Sequence, residues 1–149
     1  MNVYYAEHEM YLSAMQTVQI HEKTDINKDI YMLSRRMSFE PTTIGVNVSL
    51  YENAIISSAG STIVSSVNMD RMSADTASFT IYTNSPSPVK NGVVLSTIRL
   101  FNGLDNPAYA PDLNNVERKM RKNEDYMLQV ENSSTANTTM TINWLWREE

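Results

Sequence analysis

Apolar residues recur at every second position along most of this chain, a spacing that suits half-buried strands and leaves little room for amphipathic helices. Within residues 45–51, Val46, Val48 and Leu50 fall on one face, while Asn47 and Ser49 fall on the other. Residues 126–130 alternate in the same way, and so do residues 140–146, where Leu145 alone breaks the polar side. Successive side chains of a strand point to opposite faces of the pleat, so this pattern marks strands with one buried face. Residues 17–21, 30–39, 61–67, 78–82 and 93–101 are further candidates, supported by their β-branched and aromatic content. Asn91-Gly92, Ala59-Gly60, Asn102-Gly103 and residues 133–137 punctuate these runs as turns. Pro86 and Pro88 cannot donate to a central ladder, which makes their stretch a loop or an exposed edge. Short helical turns are conceivable only at residues 52–58 and 114–122, neither with a long apolar stripe.

The expectation is therefore an all-β chain, a single-domain β-sandwich of jelly-roll type spanning residues 1–149, with eight or more short antiparallel strands. Residues 1–14, which include Tyr4, Tyr5, Met10 and Tyr11, form either a first strand or an arm laid on a neighbouring molecule. Met10, Met15, Met32 and Met37 are either adaptable core or an interface, with core the default reading.

Composition narrows function mainly by exclusion. With no cysteine there is neither a disulfide framework nor a thiolate metal site. A formal charge of −5 argues against nucleic-acid binding, because the basic runs at Arg35-Arg36 and residues 118–122 are short. The N-terminus lacks a basic segment followed by an apolar one, and no stretch is apolar for the ~18 residues a membrane helix needs. Synthesis in a cytoplasm, without a membrane partner, is expected.

Chemistry is equally sparse. His8 and His21 are the only histidines; neither has a second histidine at zinc spacing, no serine sits in a G-x-S-x-G turn, and both read as surface or strand-end residues. Asp25-Ile26-Asn27-Lys28-Asp29 opens like a calcium loop, but Ile30 replaces the required glycine and Arg36 the bidentate glutamate, so it reads as a hairpin loop. The four glycines are too scattered to cradle phosphate. No catalytic residue, cofactor, metal or small-molecule substrate is expected. What remains is surface. Residues 101–115 (FNGLDNPAYAPDLNN) form a long proline-bearing connection, either an interface loop or a tolerated insertion. The candidate protein-interface residues are Tyr4 and Tyr5 near the N-terminus, and Phe101, Asn106, Tyr109 and Pro111 in this connection. Trp144 and Trp146 share one face of a strand and read as core, with a sugar platform as the rival role.

From Leu50-Tyr51-Glu52-Asn53 through Asn68-Met69-Asp70-Arg71 to Trp144-Leu145-Trp146-Arg147-Glu148, the order of motifs over residues 38–149 resembles the small head decoration, or cement, proteins of tailed bacteriophages. The pieces are Leu50-Tyr51-Glu52-Asn53, then a Ser/Gly turn at residues 57–62, then the Asn-x-x-Arg segment Asn68-Met69-Asp70-Arg71. They continue through a Thr/Ser/Tyr strand at 80–84, Gly92 to Leu95, residues 122–132, and the closing Trp144-Leu145-Trp146-Arg147-Glu148. Arg147 stands where the family carries tyrosine, and residues 101–115 replace its glycine-rich loop. The resemblance implies a non-enzymatic virion protein, a jelly roll that binds the major capsid protein on the outer head surface as a homotrimer. The alternative class is a receptor- or glycan-binding sandwich of a phage fibre or tail.

Overall fold

The computed structural model describes residues 1–40, 45–84, 87–90, 92–101, 108–110 and 117–149. Every regular element among them is a strand. In chain order these are β1 (Asn2–Leu12), β2 (Thr17–Lys23), β3 (Ile30–Glu40), β4 (Gly45–Glu52), β5 (Ile55–Ser58), β6 (Thr62–Ile63) and β7 (Ser66–Asn68). They continue with β8 (Thr80–Thr83), β9 (Ser87–Lys90), β10 (Val93–Phe101), β11 (Ala108–Ala110), β12 (Arg118–Met120), β13 (Asp125–Asn132) and β14 (Thr138–Glu148).

One sheet runs β11-β3-β14-β1-β7, with β12 also on β3; the other runs β10-β4-β13-β2-β8-β6. All pairings are antiparallel. The chain changes sheet at each step from β1 to β4, and β13 and β14 then insert between strands already placed. Leaving aside β6, β7 and β8, one sheet is β1-β14-β3-β11/β12 and the other β2-β13-β4-β10, which is the eight-strand order of a jelly roll. The expected β-sandwich is therefore present.

The alternating residues named from sequence supply the core. Val46, Val48 and Leu50 of β4 face Met140, Ile142, Trp144 and Trp146 of β14 across the gap, all of them buried. Trp146 stacks on Tyr4 at 5.7 Å and meets Phe79 edge-on at 5.2 Å. Met32 and Met37 are in the core as expected and Met10 packs against it, but Met15 is exposed in the β1–β2 turn with φ 59°.

Several expectations change. Residues 61–67 do not form one strand. The chain leaves one sheet after β6 and joins the other at β7. Glu52 ends β4, residues 55–58 make β5 and residues 118–120 make β12, so neither suggested helical turn is present among the described residues. The loop at 24–29 is no hairpin, because β2 and β3 lie in different sheets. Gly92 has φ +101°, but β9 pairs with β5 and β10 with β4, so it joins two ladders rather than closing a hairpin. A Cβ there would lie 2.2 Å from the Glu52 carbonyl oxygen, so only glycine fits. Asn91, Asn102 and Gly103 lie outside the described residues.

The register of β3 decides the interior chemistry. On β14, Leu145 pairs with Ser34 but the next residue, Trp146, pairs with Met32, leaving Leu33 as an extra residue. This bulge shifts the alternation by one, so Ile30 and Met32 point inward before it and Arg35, Met37 and Phe39 after it. A guanidinium is thereby driven into the core.

Candidate functional site

Two buried carboxylates hold the sandwich together from inside. Glu22 of β2 faces Arg35 of β3 across the sheets; the guanidinium donates from Nη2 at 2.6 Å and from Nε at 2.9 and 3.1 Å. Trp144 Nε1 donates to the same carboxylate at 2.6 Å. Both charged side chains are almost wholly removed from water, a state tolerated only because each is paired and hydrogen-bonded. At the far end of β14, Glu148 accepts from Ser78 N and Oγ, Phe79 N and Trp146 Nε1 within 3.1 Å, and pairs with Lys28 Nζ at 3.3 Å. These carboxylates are consumed by structural donors.

His21, which reads from sequence as a surface or strand-end residue, is buried within β2. Its ring stacks on Tyr82 at 5.2 Å, and Nε2 meets Asp125 Oδ1 at 2.7 Å. The other ring nitrogen, Nδ1, is buried and has no hydrogen-bond partner, so the His-Asp pair orients no nucleophile among the described residues. The calcium-like stretch is also self-satisfied. Asp25 accepts the Asn27 and Lys28 amides, which hold its carboxyl below the usual range. Asp29 pairs with Lys119 at 2.9 Å and Lys122 at 3.2 Å, again lowering its pKa. Among the described residues no three His, Asp or Glu side chains are placed to hold a metal ion.

Tyr126 illustrates how such networks respond to pH. Its hydroxyl donates to Glu52 at 2.7 Å and accepts the Arg121 amide at 2.9 Å; burial, then Glu52, push its pKa well above the usual phenol value. A pKa raised on folding means stability that is in place below about pH 10 and lost as pH rises through the folded value. Tyr126→Phe should cost about 1–2 kcal/mol at neutral pH. It should also flatten the alkaline fall of stability, measured by urea unfolding at several pH values; an unchanged pH slope would refute this.

Among the described residues, those expected at an interface do not gather in one place. Tyr4 is 1 % exposed in the core, so it offers no contact surface; β1 is an integral strand, bonded to β14 along its length, and not an arm. The alternation that puts Tyr4 inside puts Tyr5 on the outer face, where its hydroxyl donates to Glu7 at 2.5 Å. That carboxylate, before burial, raises the phenol pKa to about 12. Phe101 ends β10 opposite Gly45, and Tyr109 lies on β11 opposite Ser38, separated from β1 by β3 and β14. Asn106 and Pro111 lie outside the described residues.

Two surface features were missed. The first is the excursion at residues 65–76, which places β7 on the edge of the β1 sheet and then folds back. Met69 N donates to Val3 O, Asp70 N to Asn68 Oδ1, Met72 N to Asp70 Oδ1 and Asp75 N to Ser73 Oγ, all within 3.1 Å. Asn68 and Asn2 side-chain amides both reach Asp75. This stitched loop displays Val67, Met69 and Met72, the last 94 % exposed. The Asn-x-Asp-x-x-Ser spacing of turn-forming side chains was its signal in the sequence.

The second is a pocket of about 470 Å³ at the open side of the sandwich, between β1 and the β2-β8-β6 end of the other sheet. Its lining combines His8, Met10 and Tyr11 and residues 16–19 with Thr62, Thr83 and Asn84. It opens there because β7 pairs only with residues 4–6 of β1, and β8 only with residues 21–23 of β2.

Compared with models of protein families and with curated proteins, the chain matches none.

Proposed function

We propose that this chain is a non-enzymatic structural protein of a phage head, a jelly roll that binds the major capsid protein on the outer surface as a homotrimer. The observation that carries the reading is the loop at residues 65–76. It holds exposed methionines and a valine on a backbone already ordered by its own side chains, so a protein contact there orders little on binding. Apolar side chains projected this way from a sheet edge mark association surfaces. The loop contains Asn68 to Arg71, one of the pieces on which the resemblance to decoration proteins rests. The buried carboxylates, meanwhile, serve the fold. A glycan platform built on Trp144 and Trp146 is not open to this chain, because both rings are buried.

The test is co-sedimentation with expanded, empty phage heads, alongside light scattering of the free protein. The expected result is a mass of about three times 17.0 kDa and saturable head binding, lost in Met69→Glu/Met72→Glu with unchanged circular dichroism. A chain that fails to sediment with heads refutes the capsid role. Binding that survives the double substitution removes the loop from the contact.

A further inference from the structure

The pocket between β1 and the β2-β8-β6 sheet end is built like a ligand site. Its volume of about 470 Å³ lies within the range of small-molecule sites, about 300–1,000 Å³. Both walls are fixed before any ligand arrives. On one side Ser13 N donates to Gln16 Oε1 at 2.8 Å, and Asn132 N to Gln16 O at 2.8 Å, holding the β1–β2 turn. On the other, Asn84 Nδ2 donates to Ser61 Oγ at 2.6 Å. Gly60 packs so closely there that an added Cβ would sit 1.9 Å from Thr83 O.

Among the described residues the lining contains no aspartate, glutamate, lysine or arginine. His8 is half-buried, and its side chain makes no hydrogen bond to the described residues. Burial lowers its pKa, so the ring is neutral near pH 7 and offers one donor and one acceptor. Thr17, Thr62, Gln16 and Asn84 line the same pocket and carry hydroxyl and amide groups, and Met10 and Val18 add apolar surface. Tyr11 also lines the pocket and is 60 % exposed, the aromatic side chain nearest to hand for C–H groups.

We infer that this pocket binds a neutral saccharide, its hydroxyls held by His8 and the surrounding threonines and amides and one sugar face laid on Tyr11. Charged ligands find no counter-ion here, and a purely apolar ligand would strip water from the polar groups without replacing it. The rival occupant is a strand of another protein molecule added to the unpaired edge of β1 beyond Ala6. Glu7 and Glu9, both exposed on that edge, oppose such pairing. The site is independent of the capsid reading, since it lies between the sheets and not on the loop at 65–76.

The experiment is an amide ¹H–¹⁵N titration of the full chain with galactose, glucose, mannose and N-acetylglucosamine, and with N-acetylneuraminate as the anionic comparison. At least one neutral sugar should shift Tyr11, Gln16, Thr62 and Asn84 saturably, with a Kd on the order of 1 mM, as expected for a free monosaccharide with few contacts. Tyr11→Ser and His8→Ala should each weaken it about tenfold while the remaining spectrum is kept; Tyr11 is exposed, so that variant does not depend on the core. The inference is overturned if none of the four sugars gives saturable shifts, if N-acetylneuraminate binds equally well, or if both variants bind like the parent. Broadening of residues 7–12 with protein concentration alone would identify a strand of a second copy as the occupant, and would also overturn it.

Discussion

Arg35→Ala is expected to lower the unfolding free energy by about 3–5 kcal/mol, the usual loss when one member of a buried ion pair is removed. The cost comes mainly from what is left behind. Glu22 would stay sealed between the sheets with Trp144 Nε1 as its remaining close donor, and water cannot reach it without opening the sandwich. Replacing both partners by apolar residues, as in Glu22→Leu/Arg35→Met, should recover most of the loss because no stranded charge remains. It should fall short of the parent by the unpaired indole N–H, about 1–3 kcal/mol. Urea unfolding of the two variants measures both values. If Arg35→Ala unfolds within about 1 kcal/mol of the parent, the ion pair does not have the buried geometry described.

Glu148→Ala should be comparably severe and more local. The carboxylate ties the end of β14 to residues 78 and 79, which lead into β8 of the opposite sheet, so it clamps one sheet to the other. Its removal strands two buried donors, Phe79 N and Trp146 Nε1, at about 1–3 kcal/mol each. Hydrogen exchange should show the Phe79 amide and the neighbouring β8 amides losing protection before the β4–β13 ladder does. If Phe79 keeps its protection in this variant, the clamp is not what holds that segment.

The two expectations rest on residues whose roles differ in how far the sequence disclosed them. The polar-apolar alternation of β4, β13 and β14 was readable and gave their inner faces correctly, including both tryptophans, because side-chain direction along a regular strand depends only on neighbouring residues. Arg35 was not readable. A period of two begun at Ile30 sends Arg36, not Arg35, inward, and the bulge at Leu33 that reverses this is visible only against β14. The split of residues 61–67 escaped for a similar reason, since nothing local says that β6 and β7 find partners in different sheets. His21 has the composition of a surface residue, but its burial is set by Tyr82 and Asp125, which are distant in the chain. The pocket is less legible still. His8, Thr17, Thr62 and Asn84 share no motif, and the opening exists because two short strands stop before covering their neighbours.

By itself, then, the sequence determined the strand class of this protein, the inner faces of its regular strands and the lack of familiar catalytic spacing, all properties carried by residues within a few positions of one another. The tertiary structure decided the jelly-roll order, the sealed charges at Glu22, Arg35 and Glu148, the methionine loop on the β7 edge and the neutral pocket. Each of these depends on which distant strands pair and where pairing ends, and that is set by the packing of the two sheets as a whole, not by any stretch of chain read alone.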